Sequence, residues 1–181
     1  MAKFTRKTSF EQWFSPISST KLEELIEIHQ LNYYTKKLHM ASFLKLLLFA
    51  QLNETESLRA VSDTLFSDDL QKATCLESIS FSQLGRRLNQ VPTQVFQQTF
   101  LELVAQVHEM THFQQRCKIS TPLKIIDSST LPLNLNNHKW AEFRKTKSGI
   151  KLHLRLVFLE KGCSYPDKAV LTNAKEHDRG Q

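Results

Sequence analysis

Glycine and proline are scarce in this chain, with four and five residues among 181. So low a content excludes a collagenous or low-complexity chain and leaves little room for long irregular loops. Cysteine is scarce as well. Cys75, Cys117 and Cys163 are odd in number, widely spaced and never in a C-x-x-C pair. Neither a disulfide framework nor a cysteine zinc site is expected, and free thiols in a reducing cytoplasm fit best. The N-terminal MAKFTRKTSFEQWF is basic but lacks the apolar stretch of a signal peptide. The longest apolar run, residues 43–52, is interrupted by Lys45 and is too short to cross a bilayer. It reads as a buried helix, and no membrane partner is expected.

What is present is enough apolar material for a core: 40% of residues are hydrophobic, in a length that suits one ordinary domain or two small ones. The net charge of +6 is lopsided. Residues 1–114 carry 11 basic and 12 acidic side chains, whereas residues 115–181 carry 13 and 6. A basic segment joined to a nearly neutral one suits a polyanion, most often nucleic acid; a solvated basic face without a partner reads equally well from charge alone.

The first 115 residues read as helices. In SSTKLEELIEIHQL, Thr20 with Glu23 three residues on has the form of a capping box, and Leu22, Leu25, Ile26 and His29 follow at helical spacing. HMASFLKLLLFAQL is apolar nearly all round, as a central helix is, and Asn53 breaks it. Leu58, Val61 and Leu65 mark a third helix. SFSQLGRRLNQVP predicts a short helix with Ser80 as N-cap and Pro92 beyond its end. Its Arg86 and Arg87 have the look of a DNA-reading helix, although serine-capped helices with surface arginines are common. A long amphipathic helix follows over residues 93–108, built on Val95, Phe96, Phe100, Leu103, Val104 and Val107. His108 and His112 are four apart but have no evident third ligand, so they read as surface or interface histidines.

The pattern changes near Lys118. Leu123-Lys124-Ile125-Ile126 reads as a short buried strand that ends in Asp127 and a Ser-Ser-Thr cluster. After the loop NNHKWAEFRKTKSG, residues Ile150, Leu152, Leu154 and Leu156 alternate with Lys151, His153 and Arg155. This is the period of two of a strand with one basic face. A third short strand is expected around Ala169–Leu171. The fold class is therefore α+β, with a helical domain over residues 1–115 and a strand-rich one over residues 116–181.

Asp127 is the candidate catalytic residue. A carboxylate at the C-terminal edge of a central strand is where α/β-type folds place catalytic and metal groups. Magnesium takes one or two carboxylates with waters and phosphates, and a metal pair can cleave a phosphodiester. Equally, Asp127 can cap a turn through the neighbouring hydroxyls. Lys139, Arg144, Lys145, Lys147, Lys151 and Arg155, interleaved with Trp140 and Phe143, suit contacts with DNA phosphates. Basic hairpin edges also protect sheets from edge-to-edge pairing.

IIDSSTLPLNL, WAEFRKTKSGIKLHLRLVF and LTNAKEHD together resemble the start of the catalytic domain of DDE transposases of bacterial insertion sequences, more narrowly the insertion-sequence-four group. SFEQWFSPI, FLKLLLFAQLNETESLRAVSDTL and SFSQLGRRL are similar to the helical N-terminal domain of that group. The resemblance implies a helical DNA-binding domain followed by the first strands of an incomplete RNase H-like catalytic domain. It further implies cut-and-paste DNA strand transfer with a magnesium or manganese pair, and a homodimer working on terminal inverted repeats and target DNA in a bacterial cytoplasm. Asp127 matches the first carboxylate of the triad. Asp178 in KEHD is expected at a helix N-terminus and not at the metal. With one carboxylate of three, the chain is expected to be inactive alone. It is then an N-terminal part of a transposase, or a truncated one that acts only as a DNA-binding repressor or dimer poison.

Overall fold

The computed structural model describes residues 9–17, 19–65, 68–115, 123–160 and 163–175. The chain divides into two compact units, residues 1–103 and 104–181. It is α+β, as its periodicities predict. Among the described residues, six helices and the start of a seventh make up the first unit: α1 (Ser9–Phe14), α2 (Ser19–Ile28), α3 (Met40–Leu52), α4 (Leu58–Thr64), α5 (Asp68–Thr74), α6 (Phe81–Gln90) and α7 (Thr93–Gln115).

Helix α3 is the centre of the first unit because its apolar residues are too many for one stripe. Met40, Phe43 and Leu46 are fully buried, and Leu22, Val61, Leu65, Leu70, Leu84 and Val95 close around them. Each such side chain contributes about 2 kcal/mol through burial. Lys45, the charge that interrupts the run, is accommodated by α5. Its Nζ donates to the carbonyl of Ala73 at 2.6 Å and lies 5.3 Å from the Phe14 ring centre. A cation at the last turn of a helix meets the negative end of the helix dipole, so this charge costs little.

The predicted boundaries hold at three places and move at others. Ser80 caps α6: its hydroxyl accepts from the Gln83 amide, and the Gln83 side chain accepts from the Ser80 amide. Asn53 ends α3 and Pro92 lies just past α6. Helix α2, by contrast, already includes Ser19, so Thr20 is a helical residue and not the expected N-cap. Helix α7 continues to Gln115, beyond the predicted end at residue 108. Helices α1 and α5 are additions that the periodicity does not predict.

Scarcity of glycine leaves a mark on the helix ends. Helices α2, α3 and α5 each close with a left-handed residue that is not glycine: Gln30 (φ 49°), Glu54 (φ 49°) and Cys75 (φ 54°). At α3 the Thr55 amide donates to the Ala50 carbonyl and the Glu54 amide to Gln51, the two bonds of a Schellman cap. The same pair ends α2, from Leu31 to Ile26 and from Gln30 to Glu27. A side chain in this conformation costs about 1 kcal/mol relative to glycine. Exposed Glu54 is therefore a site for stabilisation. Glu54→Gly should raise the urea midpoint by an amount worth roughly 1 kcal/mol, whereas Glu54→Val should lower it.

The second unit contains the end of α7 and an antiparallel sheet of β1 (Leu123–Leu133), β2 (Glu142–Arg144), β3 (Lys147–Glu160) and β4 (Cys163–Asn173), with a 3-10 turn at Lys139–Ala141. Strand β3 is the spine: β1 pairs along one edge, β2 and β4 along the other. Two expectations are corrected. Strand β1 does not end at Asp127 but runs six residues further, through the Ser-Ser-Thr cluster, because each residue to Leu133 finds a partner on β3. The loop expected after it folds back as β2, with Glu142 opposite Ser148 and Arg144 opposite Lys147. Asp178 and Cys117 lie outside the described residues.

Candidate functional site

Pairing decides where the chemistry-bearing residues of the sheet go. Directly opposed residues on antiparallel strands share a face, and the faces alternate along each strand. Asp127 is opposite Leu154. On its face stand Leu123, Ile125, Ser129 and Leu131 of β1, Ile150, Leu152, Leu156 and Phe158 of β3, and Ala169 and Leu171 of β4. By the same pairing Glu142, opposite Ser148, and the Glu160 position belong to this face, but each is reached six residues along β3 from Leu154, about 20 Å at the rise of a strand. Asp127 is exposed, and its Oδ1 accepts from the Ser128 amide at 2.8 Å. A carboxylate amid apolar side chains contributes nothing evident to the sheet's own packing.

The basic residues predicted beside Asp127 do not gather there. Lys151 and Arg155 are opposite Thr130 and Ile126, which puts them on the other face of the sheet. Arg144, Lys145 and Lys147 meet at the β2–β3 hairpin, exposed, with Lys139 in the preceding 3-10 turn next to exposed Trp140. Lys147 lies seven residues along β3 from Leu154, about 23 Å at the rise of a strand. The hairpin tip and Asp127 are therefore separate features.

Arg155 has a partner of its own. Its Nε and Nη2 donate to Oδ1 and Oδ2 of Asp167 at 2.7 and 2.8 Å, a bidentate pair across β3 and β4. The guanidinium holds the Asp167 carboxyl below its usual range, with Lys124 and His108 adding to the effect. The same bonds raise the pKa of Arg155. His108 meets Tyr165, whose hydroxyl is 3.2 Å from Nδ1. Among the described residues no group of three or more His, Cys, Asp or Glu is arranged to hold a metal ion. Among the described residues, Asp127 thus belongs to no assembled group of metal ligands.

In the helical unit the expected arginine pair splits. Arg86 is exposed on α6, but Arg87 is buried: its Nη2 donates to the Leu31 carbonyl at 2.6 Å. The DNA-contact expectation thus passes to Arg86, because consecutive helical residues point about 100° apart and α6 buries the side bearing Leu84 and Arg87. Sequence reading missed Tyr34, Lys36 and Lys37, which line a groove of about 390 Å³ together with Arg86 and Arg87. The dipeptide Lys36-Lys37 after Tyr33-Tyr34 was the available signal.

The Asp167–Arg155 pair makes stability depend on pH. Because the folded carboxyl titrates below its unfolded value of about 3.9, the pair's contribution is complete above that value and is lost as pH falls through the depressed one. Melting temperatures of the parent and Asp167→Asn should differ at pH 6, and the difference should shrink as pH falls below the ordinary carboxylate range. A constant difference would mean the pair is not what stabilises β3 against β4.

Comparison with known proteins adds a distant relationship. Residues 5–72 match a family described as a domain of unknown function (DUF4372), which covers α1 to α4 and most of α5. The chain is also 23% identical over 103 residues to a probable transposase for insertion sequence element IS5377 of Geobacillus stearothermophilus. That match takes in 57% of this chain and 26% of the relative, so the chain spans about a quarter of the length of the curated protein it matches. No solved structure matches. Among the described residues no helix is long and apolar enough to cross a membrane.

Proposed function

We propose that this chain is part of an insertion-sequence transposase of the DDE type and that it binds the element's end DNA, as a homodimer. The similarity to a probable transposase carries the reading. Three features of the fold agree with it. One carboxylate, Asp127, stands on an apolar sheet face, as the first acidic residue of an RNase H-like site would. A basic hairpin, Lys139 to Lys147, offers phosphate contacts with target or end DNA. The helical unit presents Arg86 on a serine-capped helix.

Asp127 would supply one carboxylate to a magnesium or manganese pair. The described residues do not fit the whole site, since they assemble no group of three or more metal-ligating side chains, and Glu142 on the same face stands about 20 Å along the sheet. Displacing a ligand by about 1 Å can already cost on the order of 100-fold in rate. For this polypeptide the DNA-binding role, that of a repressor or dimer poison, is accordingly favoured over strand transfer.

Two measurements test the proposal. In the first, the chain is titrated against a duplex of its element's terminal inverted repeat, and it should bind with an affinity that falls steeply with salt. Failure to bind at about 50 mM salt would remove the transposase reading. In the second, supercoiled or end-containing DNA is incubated with the chain and magnesium or manganese, and no nicking should appear. Nicking that disappears on Asp127→Ala would show that this polypeptide is catalytic by itself.

A further inference from the structure

The helical unit is neutral in sum, with 11 basic and 11 acidic residues up to position 103, yet its cations are not evenly spread. Four of the 11, Lys36, Lys37, Arg86 and Arg87, line one groove between residues 34–38 and α6, and no carboxylate among the described residues lines it. Lys36, Lys37 and Arg86 are exposed, and none is ion-paired among the described residues. Like charges held together without counter-charges repel one another. A chain that had only to fold would gain by scattering them.

The groove is held in shape from beneath. Arg87 donates from Nη2 to the Leu31 carbonyl and reaches the Asn32 side chain at 3.5 Å. Asn32 Oδ1 in turn accepts from the Met40 amide at 2.8 Å. Both ends of the 31–40 connection are thereby tied, one to α6 and one to the start of α3. Arg87 is 8% exposed, and its Nε has no hydrogen-bond partner among the described residues. A buried cation with a donor to spare keeps positive charge in the groove floor.

At the rim stands Tyr34, 89% exposed and in the left-handed region at φ 56°, with its ring 4.3 Å from that of Tyr33, itself 68% exposed. Neither exposure nor this backbone conformation helps folding. An aromatic pair beside unpaired cations is, however, the chemistry that contacts a nucleic-acid strand, where cations take the phosphates and rings pack on sugar or base.

We propose that this groove is a backbone-phosphate site for duplex DNA, in which Lys36, Lys37 and Arg86 contact phosphates and Tyr34 packs beside them. The inference rests on the DNA-binding reading above and moves the main contact of the helical unit from a recognition helix alone to a groove built around Arg87.

The test uses the full chain and a fluorescent duplex of mixed sequence, about 40 base pairs long, followed by anisotropy from about 50 to 300 mM sodium chloride. Replacing Lys36, Lys37 and Arg86 together by alanine should weaken binding at least about tenfold at roughly 100 mM. It should also make the slope of log affinity against log salt shallower by between about two and three, at about 0.9 for each phosphate no longer neutralised. All three side chains are exposed, so circular dichroism and melting temperature should match the parent. As a control, Arg144, Lys145 and Lys147 are replaced together by alanine. Parental affinity and slope in the groove variant, with binding abolished in the hairpin variant, would overturn the groove while leaving DNA binding intact. No binding by the parent at about 50 mM would instead overturn the DNA-binding reading, and the groove with it. A single strand of about 20 nucleotides bound more tightly than the duplex would overturn the assignment to duplex DNA. Tyr34→Asn, which tolerates the left-handed backbone, should weaken binding without changing the salt slope; an unchanged affinity would remove Tyr34 from the site.

Discussion

The alternation of side chains across β3 governs the second unit. Because this strand is paired on both edges, its period of two is imposed on β1 and β4, and each residue of the sheet is committed to one face. One face receives leucines and isoleucines, with Asp127 among them. The other receives Lys151, His153 and Arg155, with Thr172 and Asp167 answering two of them. A slip of one residue would invert this assignment, and the bidentate Arg155–Asp167 pair reports the register that is adopted.

The helical unit depends on a different device, a buried guanidinium. Arg87 looks like half of a surface pair, yet it ties the connection between α2 and α3 to α6. Burial pushes its pKa below the ordinary arginine value, but arginine stays charged at neutral pH even so. Leaving the Leu31 carbonyl without a donor would cost about 1–3 kcal/mol. The position therefore serves the fold first. Through the fold it sets Lys36 and Lys37 beside Arg86.

Much of this organisation was legible in the residues. The all-round apolar helix α3, the Ser80 cap, the alternating strand β3 and the change from helix to strand after α7 are local patterns, set by side-chain period and capping chemistry. The α5 helix was not legible: it is as short as α4, but only Leu70 and Ala73 of its seven residues are apolar, too few to mark a period. Strand β1 was read too short. Its Asp-Ser-Ser-Thr stretch favours a turn by composition, and only pairing with β3 overrides that preference.

The sequence by itself determined the class of the chain, the candidate carboxylate Asp127 and the concentration of positive charge after residue 114. These follow from composition and from neighbours a few residues apart. Tertiary structure alone decided which charges share a surface. It sent Arg87 inward and Arg86 outward, separated Asp127 from Lys151 and Arg155 by the thickness of a sheet, and joined Lys36 and Lys37 to a helix some fifty residues further along the chain. The reason is physical: a charge is placed by the desolvation and pairing available where its backbone lands, and that location is settled by contacts distant in sequence.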